Sequence, residues 1–209
     1  MIKLERTEVL NIENAIRGMR NPLDSWDKSD SRFNWEVGTY CIGPNDLALA
    51  KRLAKAGSDH RKFLRQIMVS VDITAPLFWW KEFDTYKVGT VANSCSTMHK
   101  IHFKEFTRDD FSIETCDDET GAIMDNLINA LNIRRNLYNE TKDKKYWRQM
   151  IEMLSSSYNQ LRTVTFNYEV LLNIHKARKN HKLYEWHIVC DWIEKLPYFK
   201  EICLDGEEQ

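Results

Sequence analysis

Breaks are scarce in this chain: seven glycines and four prolines are spread through 209 residues. Both residue types interrupt regular structure, so long continuous elements are expected, and the apolar pattern agrees. Between residues 119 and 141, Ile123, Met124, Leu127, Ile128 and Leu131 fall on one side of the longest helix. Pro44-Asn45-Asp46 opens another, with Leu47, Ala50, Leu53 and Ala54 at helical spacing and Gly57 as its stop. Residues 144–154, 168–179 and 184–195 read as three more, the first stopped by Ser155-Ser156-Ser157 and the last by Leu196-Pro197. A short helix is expected over 11–20 and an aromatic-rich one over 77–86.

Strands are fewer. Residues 2–10 alternate loosely, as an edge strand does. Ile67 to Ile73 is rich in β-branched residues with apolar groups at alternate positions, and Ala75-Pro76 breaks it. Leu161 to Phe166 alternates as a third strand. Residues 21–34 are polar and turn-rich, which marks a long loop or lid, and the stretch 89–94 is small, polar and turn-like. Dominant helices with few strands give an α+β fold, expected as a single domain over 1–209 with a small central antiparallel sheet and long helices.

Composition narrows the function classes. Hydrophobic residues at 43% supply a core and exclude a disordered chain. Thirty Lys and Arg against 31 Asp and Glu leave a net charge of −1, without the basic excess that captures nucleic acid. Cys41, Cys95, Cys116, Cys190 and Cys203 are scattered with no Cys-x-x-Cys pair, as in a cytoplasmic protein with reduced thiols. Charges at Lys3, Glu5 and Arg6 interrupt what would be a signal-peptide core, and no apolar run approaches the ~20 residues that span a bilayer. His99-x-x-His102 lacks a His-Glu-x-x-His or Cys-rich partner set, so no metal site is expected. The Gly-x-Gly-x-x-Gly, Walker and Gly-x-Ser-x-Gly patterns are absent.

Three stretches carry candidate chemistry. On the helix from Asn167 to Arg178, Val170, Leu171 and Ile174 form an apolar stripe, and Asn167 and Arg178 lie on the same side, roughly 16 Å apart along the axis. A guanidinium on such a stripe either meets an anion or snorkels past the core edge, while Asn167 either faces a ligand or caps the helix. The small, hydroxylated run from Thr90 to His99 either cradles a phosphate or is an ordinary polar loop, and Cys95 and His99 within it are a weak nucleophile pair. Trp79-Trp80, with Phe78 and Phe83, either stacks on a flat ring or, as aromatic helix faces more often do, packs in the core.

The order of these pieces resembles the flavin-dependent thymidylate synthase family. That family places a strand ending in Ala-Pro-aliphatic-Phe before an aromatic helix, then Arg-His-Arg, then Asn-Glu-x-Ser-x-Arg-Tyr. Here Ala75-Pro76-Leu77-Phe78 leads into Trp79-Trp80-Lys81-Glu82-Phe83, and Asn93 and Ser96 match the Asn and Ser of the signature. The family's Asn-Ala-Arg-x-Leu-x-Asn, with an Arg five residues on, is matched by Asn167, Leu171, Asn173 and Arg178, and Trp186 follows in the next helix. The resemblance covers about half the chain, residues 57–99 and 154–195.

The resemblance implies a homotetramer that binds FAD between subunits and methylates deoxyuridine monophosphate with methylenetetrahydrofolate. By position it implies that Ser96 and Arg178 hold the nucleotide, with Lys87 and His99 as replacement contacts, and that Asn93, Asn167 and Asn173 face the flavin. No residue is assigned a catalytic role. The departures are concentrated in cations. Thr85-Tyr86-Lys87 stands near Arg-His-Arg, Ser94, Met98 and His99 replace the signature Glu, Arg and Tyr, and Glu169 replaces the Arg of Asn-Ala-Arg. The family's flavin-facing His aligns with Arg65 or Gln66. An alternative is therefore a non-catalytic relative that kept the fold and binds a nucleotide or flavin as a binding or assembly protein. A third reading is a helical interaction protein with a chance likeness.

Overall fold

The computed structural model describes residues 1–205. Its fold is α+β, with a small antiparallel sheet and several helices. In chain order the elements are β1 (Lys3–Leu10), α1 (Ile12–Gly18), β2 (Arg32–Asn34), β3 (Thr39–Cys41), α2 (Pro44–Lys55), β4 (Met68–Pro76) and α3 (Leu77–Phe83). Then come β5 (Thr90–Ser94), α4 (Asp118–Thr141), α5 (Lys144–Met153), β6 (Asn159–Asn167), α6 (Tyr168–Arg178) and α7 (Tyr184–Glu194). The four-stranded sheet has the order β1-β4-β6-β5, so β1 is an edge strand as its loose alternation suggests.

Two compact units share this chain. One comprises Met1–Lys3, Asp72–Thr85 and Ala92–Thr163; the other comprises Leu4–Val71, Tyr86–Val91 and the described chain from Val164 onward.

In the first unit, the 24-residue α4 starts at Asp117, whose carboxylate accepts the Thr120 N–H and caps the helix. Ile128 and Leu131 of α4 and Met150 of α5 are buried with Ile101, Phe106 and Phe111. Trp79 and Trp80 are buried, with Trp79 stacked on Phe83 at 5.1 Å, and the Trp80 indole N–H donates to the Gln160 carbonyl at 3.0 Å. The aromatic face of α3 is therefore core, not a platform for a ring.

In the second unit, Val69 and Val71 of β4 and Val164 and Phe166 of β6 are buried at alternate positions, as half-buried strands require. Leu171, Leu172 and Ile174 of α6 and Trp186, Val189 and Ile193 of α7 are buried too. Tyr168, fully buried, donates its hydroxyl to the Pro197 carbonyl at 2.7 Å.

The elements differ from the sequence reading in four places. β4 runs through Ala75-Pro76 and passes directly into α3, because proline at the last strand position needs no ladder donor. The turn-like stretch 89–94 is mostly strand: β5 is a short edge strand, exposed along nearly all its length, so it carries no alternating burial signal. The long loop over 21–34 holds two 3-10 turns and β2, which pairs antiparallel with β3, Phe33 opposite Tyr40. Beyond Pro197 the chain forms a further helical turn over Lys200–Leu204.

Candidate functional site

The second unit carries the helix that the sequence singles out. β6 becomes α6 without a loop, and Asn167 is the hinge residue: its backbone is extended and its side-chain oxygen accepts the Val170 N–H at 3.0 Å. Asn167 is thus the helix cap, with its amide nitrogen turned toward Gly89. A Cβ at Gly89 would stand 3.2 Å from that nitrogen and 3.0 Å from Val170 Cγ2, and Gly89 has φ of +75°. Both the left-handed backbone and the close approach favour glycine there.

At the other end of α6, Arg178 neither lies in the core nor trails into solvent. It is half-buried, and its Nε–H donates to the Tyr86 hydroxyl at 2.8 Å. Its guanidinium carbon lies 4.8 Å from the Trp186 ring centroid and 5.5 Å from that of Tyr86. Two aromatic rings and a hydroxyl orient the fork, the preorganisation that anion recognition by arginine uses. Lys87, next to Tyr86, is exposed, and so is Asn173 on the outer side of α6.

Glu169 lies in the first turn of α6. It accepts the Arg61 Nε–H at 2.8 Å and also pairs with Arg65, whose Nη2 donates to the Ser58 carbonyl at 2.7 Å. Burial pushes the Glu169 carboxyl up, but hydrogen bonds from Arg61 and Arg65 outweigh it and hold the group below the usual carboxylate range. An anion at 169 is thus met by two arginines of the preceding 3-10 turn region. With two arginines and one glutamate, the group keeps one positive charge beside the helix N-terminus.

Ser96 and His99 belong to the first unit, as does Asn93. The Ser96 hydroxyl accepts the His99 N–H at 2.9 Å and the Met98 N–H at 3.2 Å, so it closes its own turn. That turn is anchored on both sides: Cys95 N–H donates to the Leu161 carbonyl at 2.9 Å and the Gln160 amide donates to the Cys95 carbonyl at 2.7 Å. Asn93 in β5 and the His99 ring are exposed. Cys95, Ser96 and Thr97 line a small recess of about 310 Å³ with Lys104, Asp110 and Tyr158.

Sequence reasoning named Arg178, Asn167, Lys87 and Asn173, but not Tyr86 and Trp186 as the holders of Arg178, nor Arg61 and Arg65 as the partners of Glu169. Nothing in the sequence pattern joins position 169 to positions 61 and 65. No group of three or more His, Cys, Asp or Glu side chains suited to a metal ion occurs among the described residues. No helix among them is long and apolar enough to cross a membrane.

No protein-family model and no curated protein matches the chain. Solved structures do. The fold is similar to the crystal structure of thymidylate synthase X (ThyX) from Helicobacter pylori with FAD and dUMP, with a TM-score of 0.73 at 16% identity over 98% of each chain. A second structure, flavin-dependent thymidylate synthase ThyX from Helicobacter pylori complexed with FAD and dUMP, gives 0.71 at 16% identity, covering 98% of this chain and 97% of that one. The chain therefore shares, from end to end, the fold on which those complexes are built.

Proposed function

We propose that this chain is a flavin-dependent, thymidylate synthase-like enzyme that binds FAD and a nucleotide of the deoxyuridine monophosphate type and methylates it with methylenetetrahydrofolate. The observation that carries the reading is Arg178, oriented between Tyr86 and Trp186 at the end of the helix that Asn167 caps, on a fold shared with FAD- and dUMP-bound enzymes.

The residues present fit both groups chemically. Arg178 offers a nucleotide phosphate a planar fork, and Lys87 adds a point charge one residue from Tyr86. Ser96 and His99 are the further nucleotide contacts in this reading. The carboxamides of Asn93, Asn167 and Asn173 both donate and accept, as the carbonyl and N–H edge of a flavin requires. The net positive charge of Arg61, Arg65 and Glu169 favours the flavin's phosphates. Bound flavin, once reduced, supplies the reducing equivalents that methylation by a methylene donor demands. In this reading residues 1–209 act as one domain and assemble as a cytoplasmic homotetramer.

The closed Arg61–Glu169–Arg65 group and Tyr86 in place of a cationic cluster favour a second reading, a non-catalytic relative that keeps a nucleotide or flavin pocket. The two separate experimentally. The enzyme purifies yellow, or takes up added FAD that survives gel filtration, and releases tritium from C5-labelled deoxyuridine monophosphate with reduced flavin and methylenetetrahydrofolate. FAD retention without tritium release selects the non-catalytic relative. A colourless protein that takes up no FAD rejects the flavin reading altogether.

A further inference from the structure

His175 is the only histidine buried among the described residues, 5% exposed on α6 between Asn173 and Arg178. An ionised carboxylate can only accept, so the His175 Nε2–H donates to Glu194, the last residue of α7, at 2.8 Å. Lys200 Nζ stands 3.9 Å from the other Glu194 oxygen, so the carboxylate is held from both sides. The His175 Nδ1 is sealed from solvent and has no hydrogen-bond partner among the described residues.

Stability does not account for this ring. The other buried residues of the two helices are apolar or aromatic, among them Leu171, Ile174, Val189 and Ile193. A buried polar nitrogen left without a partner is unfavourable, and the single hydrogen bond to a carboxylate that is 36% exposed offsets that only in part. An apolar side chain of similar size would serve the core at least as well. What the imidazole adds is direction. Apolar contact is non-directional and tolerates small rotations of one helix on another, whereas a hydrogen bond between two particular atoms does not.

The placement of α7 on α6 is the one that Arg178 depends on. α6 carries Arg178 three residues after His175, and α7 carries Trp186, whose ring centroid lies 4.8 Å from the guanidinium carbon. Trp186 also meets Tyr86 edge-on at 6.0 Å, and Tyr86 accepts the Arg178 Nε–H. A rotation of α7 therefore moves one ring against the arginine and, through it, the other.

We propose that His175 is a positioning residue: its hydrogen bond to Glu194 fixes α7 on α6 and thereby the direction in which the Arg178 fork meets the nucleotide phosphate. The inference rests on the nucleotide reading above, and its test reads the two separately. The direct readout is the Arg178 Nε–H signal in a heteronuclear NMR spectrum of the full chain, identified by its absence in Arg178→Lys. It exchanges slowly in the wild type and in His175→Gln, which keeps a donor for Glu194, and is lost in His175→Leu. Calorimetric titration with deoxyuridine monophosphate is expected to give an affinity about three- to tenfold lower in His175→Leu and within about twofold of wild type in His175→Gln. Adding His175→Leu to Arg178→Ala causes no further loss, because the histidine acts through the arginine. His175→Leu melts no lower than wild type, which separates lost position from lost stability. An Arg178 signal that stays protected in His175→Leu overturns the inference, as does a clear drop in its melting temperature or a loss of affinity that adds to that of Arg178→Ala. Unchanged affinity in Arg178→Ala sinks the nucleotide reading instead, and the Nε–H signal then still decides whether His175 places the arginine.

Discussion

Arg178 and Tyr86, 92 residues apart in sequence, are joined by a 2.8 Å hydrogen bond from the guanidinium Nε–H to the phenol oxygen. The bond and the two flanking rings fix where the cation points. Arg178→Ala is expected to weaken deoxyuridine monophosphate binding by about 10- to 100-fold, the loss of a charge-assisted contact of roughly 1.5–3 kcal/mol. Arg178→Lys recovers little, because an ammonium lacks the planar fork. Calorimetric titration of the nucleotide is the measurement, and unchanged affinity in Arg178→Ala removes this residue from the site.

Asn167 has two duties in this reading, and they are separable. Asn167→Ala removes the cap of α6 and is expected to cost about 0.5–2 kcal/mol in thermal or denaturant unfolding. Asn167→Asp keeps an acceptor for the Val170 N–H but loses the amide donor. It should restore stability while leaving flavin uptake impaired. Restoration of both would reduce Asn167 to a cap.

A larger residue at Gly89 is strained by its backbone and by its neighbours. Gly89→Ala combines a left-handed backbone, unfavourable by roughly 1–2 kcal/mol, with a methyl pressed on Val170 and Asn167. A lowered melting temperature is expected, and a neutral or stabilising result would contradict the close approach.

Acid should destabilise this protein through two carboxylates. Burial pushes Asp46 and Glu169 up, but hydrogen bonds outweigh it and lower both: Ser31, Ser29 and Arg20 act on Asp46, and Arg61 and Arg65 on Glu169. A folded-state pKa below the unfolded one contributes stability above the ordinary carboxylate value of about 4 and loses it as pH falls through the depressed value. Melting temperature is therefore expected to hold from neutral pH to about pH 5 and to fall steeply below about pH 4. Asp46→Asn and Glu169→Gln should melt lower at neutral pH with a shallower acid slope; an undiminished slope in both would place the acid response elsewhere.

Breaking the Arg20–Asp46 pair from one side should be among the most damaging single changes. Both side chains are buried, at 4% and 0% exposure. Asp46→Ala strands a buried guanidinium, and such losses run to about 3–5 kcal/mol in equilibrium unfolding. A loss of under about 1 kcal/mol would mean that the pair is not sealed from water.

The long helices were legible because their signals are local. The pattern over 119–141 lies within Asp118–Thr141, and that over 168–179 within one residue of Tyr168–Arg178. β5 and the β2–β3 hairpin were not legible, since largely exposed strands show no alternation of buried and polar positions. The candidate site was legible one residue at a time. Helical spacing raised Arg178 as a question, and only tertiary contacts with Tyr86 and Trp186 answer what holds it. Glu169 read as a lost cation, because its partners Arg61 and Arg65 lie more than a hundred residues away and no pattern in the sequence joins them.

Gly43 opens α2 without any side chain to cap it, and the carboxylate of Asp30 caps the helix instead by taking the Asn45 and Asp46 N–H groups. A methyl group at Gly43 would collide with both the side chain and the carbonyl of Asp30. Because the carbonyl stays in place whatever side chain stands at 30, shortening Asp30 does not make room at 43, and glycine at 43 is held by the backbone path of the preceding loop.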